Sequence, residues 1–217
     1  GKVRGRDYVR GIPQGTNSYG DDVMVIAVSK LNSGSKYDSK TFKKSVGMNG
    51  VGLKAVNALS WKFAVQSFRD GTTRRLEYKQ GQLVKDTGII DDDANNKRGT
   101  LIEFEPDYSE RIFKNYAFRD EFIEPMLRNY AYLNTGLTIN YNGQKFTSKN
   151  GLFDLLTDNL ATKTIEPLYP LIHLKGEDIE IVLTHTDQSG EDYFSFVNGQ
   201  HTIQGGVHQA AYREAIG

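Results

Sequence analysis

The chain has 217 residues, and its 27 Lys and Arg are matched by 27 Asp and Glu, so the formal net charge is zero. With 38% hydrophobic residues this is a globular composition that excludes disorder and collagen-like repeats, and zero net charge offers no broad nucleic-acid-binding face. The absence of cysteine removes any disulfide framework, thiolate zinc site or Cys nucleophile, in keeping with a reducing, cytoplasmic setting.

The longest strongly apolar run, from Val23 to Val28, is far short of the roughly 20 residues that span a bilayer, so no membrane partner is expected. The sequence opens on Gly1 without an initiator Met and closes inside a helix-forming run from Ala210 to Gly217, so it reads as a fragment.

A polar-alternating strand, Lys2 to Asp7, runs into the turn residues Arg10-Gly11-Ile12-Pro13. Asp21-Asp22 then cap a predicted helix in which Val23, Ile26, Ala27 and Leu31 recur at helical spacing. A basic segment with Lys30, Lys36, Lys40, Lys43 and Lys44 leads to Gly47-Met48-Asn49-Gly50-Val51-Gly52, after which Leu53, Val56 and Leu59 form an apolar stripe. From Trp61 the period changes to two, and the runs to Phe68 and from Thr73 to Tyr78 flank Asp70-Gly71, a hairpin signal. Leu83 to Ile90 and Thr100 to Glu105 read as further strands, with Asp91 to Asp93 in a solvated connection.

Phe118 to Leu133 reads as a helix with Phe122, Met126, Tyr130 and Leu133 inward, and with Pro125 at a kink or in its first turn. A hairpin turning at Asn142-Gly143 and a helix from Gly151 to Leu160 follow. Strands are then expected at Leu171 to Leu174, Asp178 to Thr184 and Tyr193 to Val197. A domain boundary is expected near Thr164. The four histidines, His173, His185, His201 and His208, show no helical i, i+4 pair, so no metal ligands are expected from this chain.

Glycines at 47, 50 and 52 ahead of an amphipathic helix let bare backbone N–H groups approach an anion such as phosphate. A Walker-type loop needs Gly-Lys-Ser/Thr, and Gly52 is followed by Leu53-Lys54-Ala55. Gly50-Val51-Gly52-Leu53-Lys54-Ala55 does fit G-x-G-x-x-A, with Asp70 beyond a strand, but the residues before it, Lys40 to Ser45, are cationic where a buried parallel strand belongs.

A third reading joins these glycines to Arg6-Asp7-Tyr8-Val9-Arg10-Gly11-Ile12-Pro13 and to Arg98-Gly99-Thr100. Together they resemble the ATP-binding boxes of the GHKL superfamily. More narrowly they resemble the ATPase (B) subunits of bacterial type IIA DNA topoisomerases, gyrase and topoisomerase IV. Lys36-Tyr37-Asp38-Ser39-Lys40, the run from Val56 to Ser60, Phe196-Val197-Asn198-Gly199-Gln200 and Gly205-Gly206-Val207-His208 resemble stretches of those proteins in the same order.

The resemblance implies an α+β fold: a Bergerat-type two-layer α/β sandwich with a mixed sheet over residues 1–164, lacking its N-terminal part. Residues 165–217 would begin a ribosomal S5-like β-α transducer domain. It implies ATP as ligand, with Asp7 accepting from the adenine amino group, a task suited to a carboxylate with only acceptors. Gly11, Ile12 and Pro13 would floor the adenine pocket, and Thr100 would support Asp7 and a bound water. Gly47, Gly50 and Gly52 would wrap the triphosphate, with Asn49 and Val51 along the loop, Lys36 adding charge and Arg69 lining the pocket mouth.

Mg²⁺ would bridge the phosphates and an Asn upstream of residue 1, where the general-base Glu is also expected, so no catalytic residue is assigned to this chain. The implied partners are a second copy of the same protein, DNA through the intact complex, and a DNA-cleaving A-type subunit. Three positions depart from the pattern: Val9 replaces the first glycine of Asp-x-Gly-x-Gly, Lys36 follows Gly34-Ser35 rather than Gly-Gly, and Val207 replaces Thr. These departures raise a degenerate, non-catalytic interaction module of the same family as an alternative. The G-x-G-x-x-A match keeps a dinucleotide-binding oxidoreductase domain as another.

Overall fold

The Asp70-Gly71 dipeptide takes positive φ at both residues (49° and 77°), the geometry of a two-residue primed turn whose twist matches that of the strands it joins. It connects β2 (Ser60–Arg69) to β3 (Thr72–Lys79), with Arg69 opposite Thr72 and Val65 opposite Leu76. The same device recurs at Gln80-Gly81, Asn142-Gly143 and Asn198-Gly199. A computed structural model describes residues 1–30, 50–95, 97–109 and 112–216, and its contacts divide the chain into two compact units, Gly1–Ala117 and Phe118–Gly217.

Among its described residues, the first unit is one sheet with two α-helices on a face. Its strands run in the order β1 (Val3–Arg6), β6 (Gly99–Pro106), β2, β3 and β4 (Gln82–Asp86), and the short β5 (Ile90–Asp91) pairs with the start of β3. The expected single strand from Leu83 to Ile90 is thus two. Gly88, at φ 67°, interrupts it, and its N–H donates to Asp86 Oδ1 (2.8 Å). Every pairing among the described strands is antiparallel, so the α+β sandwich holds while the mixed character expected of the sheet does not show in these pairings.

Alternation along the strands sends Phe63, Val65, Leu76 and Tyr78 to one face, where they form the core with Met24 and Val28 of α1 (Val23–Ser29). Leu53 and Val56 of α2 (Gly52–Ala58) pack on the same cluster, as do Ile12, Ile102 and Phe104. Each fully buried side chain of this kind contributes about 1.5–3 kcal/mol relative to exposure. Asn57, buried between the helices, donates from Nδ2 to the Val28 carbonyl (2.9 Å) and so ties α2 to α1.

The opposite sheet face carries an ion-pair cluster beside the buried Phe68 and Leu101: Glu103 pairs with Lys2 (3.0 Å) and Arg75 (2.9 Å), and Arg75 also pairs with Glu77 (2.8 Å). The Lys2 ammonium hydrogen-bonded to Glu103 is the main cause holding that carboxyl below its ordinary value.

The second unit contains α3 (Asp120–Leu133), the hairpin β7 (Thr138–Tyr141) and β8 (Gln144–Thr147), and α4 (Leu152–Lys163). Two further hairpins, β9 (Ile172–Lys175) with β10 (Glu180–Leu183) and β11 (Phe196–Val197) with β12 (Gln200–His201), precede α5 (Val207–Ile216). The grouping places α3 and α4 with residues 165–217, whereas the sequence reading draws its boundary near Thr164.

The inward face expected of α3 is corrected. Phe122 and Met126 are 66% and 68% exposed, and the buried residues are Ala131 and Tyr132. The apolar stripe is real, but β8 and α4 select the packed face. The Arg128 guanidinium lies over the Phe146 ring (5.3 Å), and the Tyr132 hydroxyl donates to Asp158 (2.5 Å). Pro125 sits inside α3. Among the described residues, no helix is long and apolar enough to cross a membrane.

Candidate functional site

Asp7 follows β1 and continues its pairing, donating its backbone N–H to the Thr100 carbonyl (3.0 Å). One carboxylate oxygen, Oδ1, accepts from the backbone N–H of Thr100 and of Val9, both at 3.2 Å. Both bonds anchor the same oxygen and leave Oδ2 with no protein donor among the described residues. Thr100 is buried and lies opposite Ser67 in the β2–β6 register.

Two glycines make this approach possible. At Gly99, with φ 105°, a Cβ would stand 2.7 Å from the Asp7 carbonyl carbon and 3.0 Å from its Oδ1. At Gly11 a Cβ would stand 2.6 Å from both the Phe68 carbonyl oxygen and Ser67 Oγ, and 2.7 Å from the Gly99 carbonyl oxygen. Only a residue without a side chain fits at either place.

The loop beyond Gly11 is pinned bond by bond. Arg69 Nη1 donates to the Gly11 carbonyl (2.6 Å) and Ser67 Oγ to the Ile12 carbonyl (2.6 Å). Gln14 Nε2 donates to the carbonyls of Ser67 (3.0 Å) and Thr72 (3.2 Å), while its Oε1 accepts from Thr72 Oγ1 (2.8 Å). Arg69 Nε and Arg10 Nη2 both meet Asp70 Oδ2, at 3.4 and 3.0 Å. The hydrogen bond from Arg10 is the main cause that holds the Asp70 carboxyl below its ordinary value.

The structure therefore brings together Asp7, Gly11, Ile12, Arg69 and Thr100, and seats Pro13 between two anchored residues. Ile12 packs on the core cluster, so part of its side chain is structural. Gly50 takes φ 57°, and Gly52 opens α2 with no atom within 4 Å of where a Cβ would stand, so no protein neighbour demands a glycine there. Val51 is exposed and precedes α2 without a side-chain cap. Ile12 and Leu53 pack on one core, which fixes the Gly11 loop and the start of α2 to the same sheet face. Lys36, Gly47 and Asn49 lie outside the described residues, as does Ser35.

Val9 is 67% exposed and is not among the residues with positive φ, so its branched side chain causes neither a clash nor backbone strain. The oxidoreductase alternative fails on topology. The strand after α2 enters an antiparallel hairpin, and no parallel βαβ unit surrounds Gly50 to Ala55 among the described residues.

Sequence reasoning missed Gly99, Ser67 and Gln14 as site-forming residues. Gly99 stood in a quoted box without a role, and Ser67 signalled itself as a polar residue on the apolar face of β2. Among the described residues, no group of three or more His, Asp or Glu could hold a metal ion.

No protein-family model matches the chain. Over 97% of its length it is 44% identical to the DNA topoisomerase 4 B protein of Borreliella burgdorferi, of which it covers 33%. It is 32% identical over its whole length to the DNA gyrase B protein of Thermotoga maritima, covering 36% of that protein. The chain thus spans about a third of the length of these relatives. Among solved structures, the 43K ATPase domain of Thermus thermophilus gyrase B in complex with an aminocoumarin matches 99% of the chain. The TM-score is 0.75 and the identity 26%, with 57% of that structure covered.

Proposed function

We propose, from the fact that this stretch of chain belongs to the family of type IIA topoisomerase ATPase (B) subunits, that its first 164 residues bind ATP. The protein would couple ATP binding and hydrolysis to DNA strand passage, as a type II topoisomerase. The observation that carries this reading is the Asp7 carboxylate. Its Oδ1 is committed to the backbone of Val9 and Thr100, and its Oδ2 is left to accept from an amino group such as that of adenine.

The Gly11–Pro13 backbone, anchored by Arg69, Ser67 and Gln14, gives such a base a rigid floor. Gly47, Gly50 and Gly52, with Asn49, Val51 and Lys36, take the triphosphate, and Arg69 stands at the mouth. Mg²⁺ bound to the phosphates would neutralise part of their charge in the site, in keeping with that ion's preference for phosphate oxygens and water. Residues 165–217 belong to the transducer domain. In the intact protein, ATP closes a dimer of such chains around DNA, a separate A-type subunit cuts the DNA, and the assembly works in the cytoplasm.

The test is calorimetric titration of a non-hydrolysable ATP analogue with Mg²⁺ into this chain and into a version extended upstream, each beside Asp7→Asn. Binding to the extended chain that weakens on Asp7→Asn supports the pocket. If neither folded chain binds, the reading is wrong and the non-catalytic interaction module replaces it.

A further inference from the structure

Arg74 is a guanidinium at 8% exposure on the helix-bearing face of β3, and nothing in the nucleotide reading uses it. It makes four hydrogen bonds to three different segments. Nε and Nη2 form a fork on Asp86 of β4, to Oδ1 at 3.1 Å and Oδ2 at 2.6 Å. Nη2 also meets Asp22 Oδ2 (2.7 Å), and Nη1 donates to the Gln14 carbonyl (2.7 Å). Asp22 is in turn the cap of α1, its Oδ1 accepting from the Val25 N–H (3.1 Å).

The fork on Asp86 is enough to neutralise a buried guanidinium. The other two bonds do something else: they join the end of the Gly11–Gln14 loop to the N-cap of α1. Those are the two segments that matter for a nucleotide. The loop floors the base, and α1 runs to Ser29, after which the chain continues toward Lys36, Gly47 and Asn49. The planar five-donor head of arginine reaches all three partners at once, which the single ammonium of a lysine does not.

We propose that Arg74 is a positioning residue for nucleotide binding. It holds the base-side loop and the start of α1 in fixed register through Gln14 and Asp22. This rests on the proposed ATP site, and the controls separate the two.

The experiment measures affinity for the ATP analogue in the upstream-extended chain carrying Arg74→Lys, Arg74→Met, Asp22→Asn, Asp86→Asn or Asp7→Asn. It is paired with thermal melting and amide hydrogen exchange. Arg74→Lys and Arg74→Met are expected to weaken binding about tenfold, the scale of one charge-assisted hydrogen bond. Exchange should quicken at Gly11, Ile12 and Gln14 and not at Phe63 or Val65. Asp22→Asn, which keeps a capping residue, should weaken binding by about threefold, a fraction of that loss. Asp86→Asn should lower the melting temperature with little change in affinity.

The proposal is overturned if folded Arg74→Lys binds within about twofold of the parent while Asp7→Asn weakens binding. If both Arg74 variants fail to fold, unchanged affinity in Asp22→Asn overturns it instead. If Asp7→Asn itself binds like the parent, the ATP site falls and this role falls with it.

Discussion

Gly99 and Asp7 pack so closely that a single added carbon on Gly99 would stand 2.7 Å from the Asp7 carbonyl carbon. Because Gly99 also holds φ 105°, Gly99→Ala suffers both a collision and a strained backbone. The expected loss is about 2 kcal/mol or more by chemical denaturation, together with loss of nucleotide binding. A variant of parental stability would show that the β1–β6 junction has more room than the structure gives it.

Gly52→Ala should behave in the opposite way. Nothing stands within 4 Å of the added carbon and the residue is already helical, so stability should hold or rise by a few tenths of a kcal/mol. If the Gly52 backbone approaches a phosphate, affinity for the ATP analogue should nonetheless fall. A rise in stability with unchanged affinity would remove Gly52 from the site.

Restoring the family glycine through Val9→Gly should not improve binding. Val9 is exposed and unstrained, so the substitution only loosens the unfolded chain, at a cost of about 0.4–1 kcal/mol. A gain of tenfold or so in affinity would mean that Val9 obstructs the pocket after all.

Asp154 sets an acid limit on the second unit. Burial pushes its carboxyl up. Hydrogen bonds from the Asn150 backbone and amide, Ser148 Oγ and the Lys149 N–H outweigh that and bring it down to about 2. The folded value lies below the unfolded one, so the stabilisation is complete above about pH 4 and is lost as pH falls through 2. Urea denaturation between these limits should show stability rising with pH, and Asp154→Asn should flatten that slope. An unchanged slope would place the acid sensitivity elsewhere.

What the sequence disclosed was mostly local. Asp70-Gly71 and Asn142-Gly143 announce their hairpins because a primed turn needs positive φ at adjacent residues. Leu53 and Val56 announce α2 because they pack on the core, whereas the expected stripe Val23, Ile26 and Ala27 marks α1 without its buried face, which Met24 and Val28 carry. The orientation of α3 was hidden, since Phe122, Met126 and Tyr130 define a stripe without naming what covers it.

In the site, Asp7, Gly11 and Thr100 stood in readable boxes. Gln14 and Arg74 did not, because their roles depend on partners that only the folded sheet brings near: Gln14 donates to Ser67, and Arg74 bonds Gln14 across 60 residues. The break in the strand at Gly88 was also unreadable, since it follows from how Asp86 is engaged by Arg74 and by the Gly88 N–H.

The pairing of Asp7 with Thr100 joins residues 93 apart, whereas the β2–β3 hairpin closes between Arg69 and Thr72, three apart. Loop-closure entropy therefore favours the hairpin early and the arrival of β1 late in folding. A chain whose sheet has assembled without β1 would already hold Phe63, Val65 and Leu76 in a core, yet the Asp7 carboxylate would be unplaced. If the Asp7 carboxylate does accept from a base, that competence would come only once β1 has docked on β6, after the core it borders is already closed.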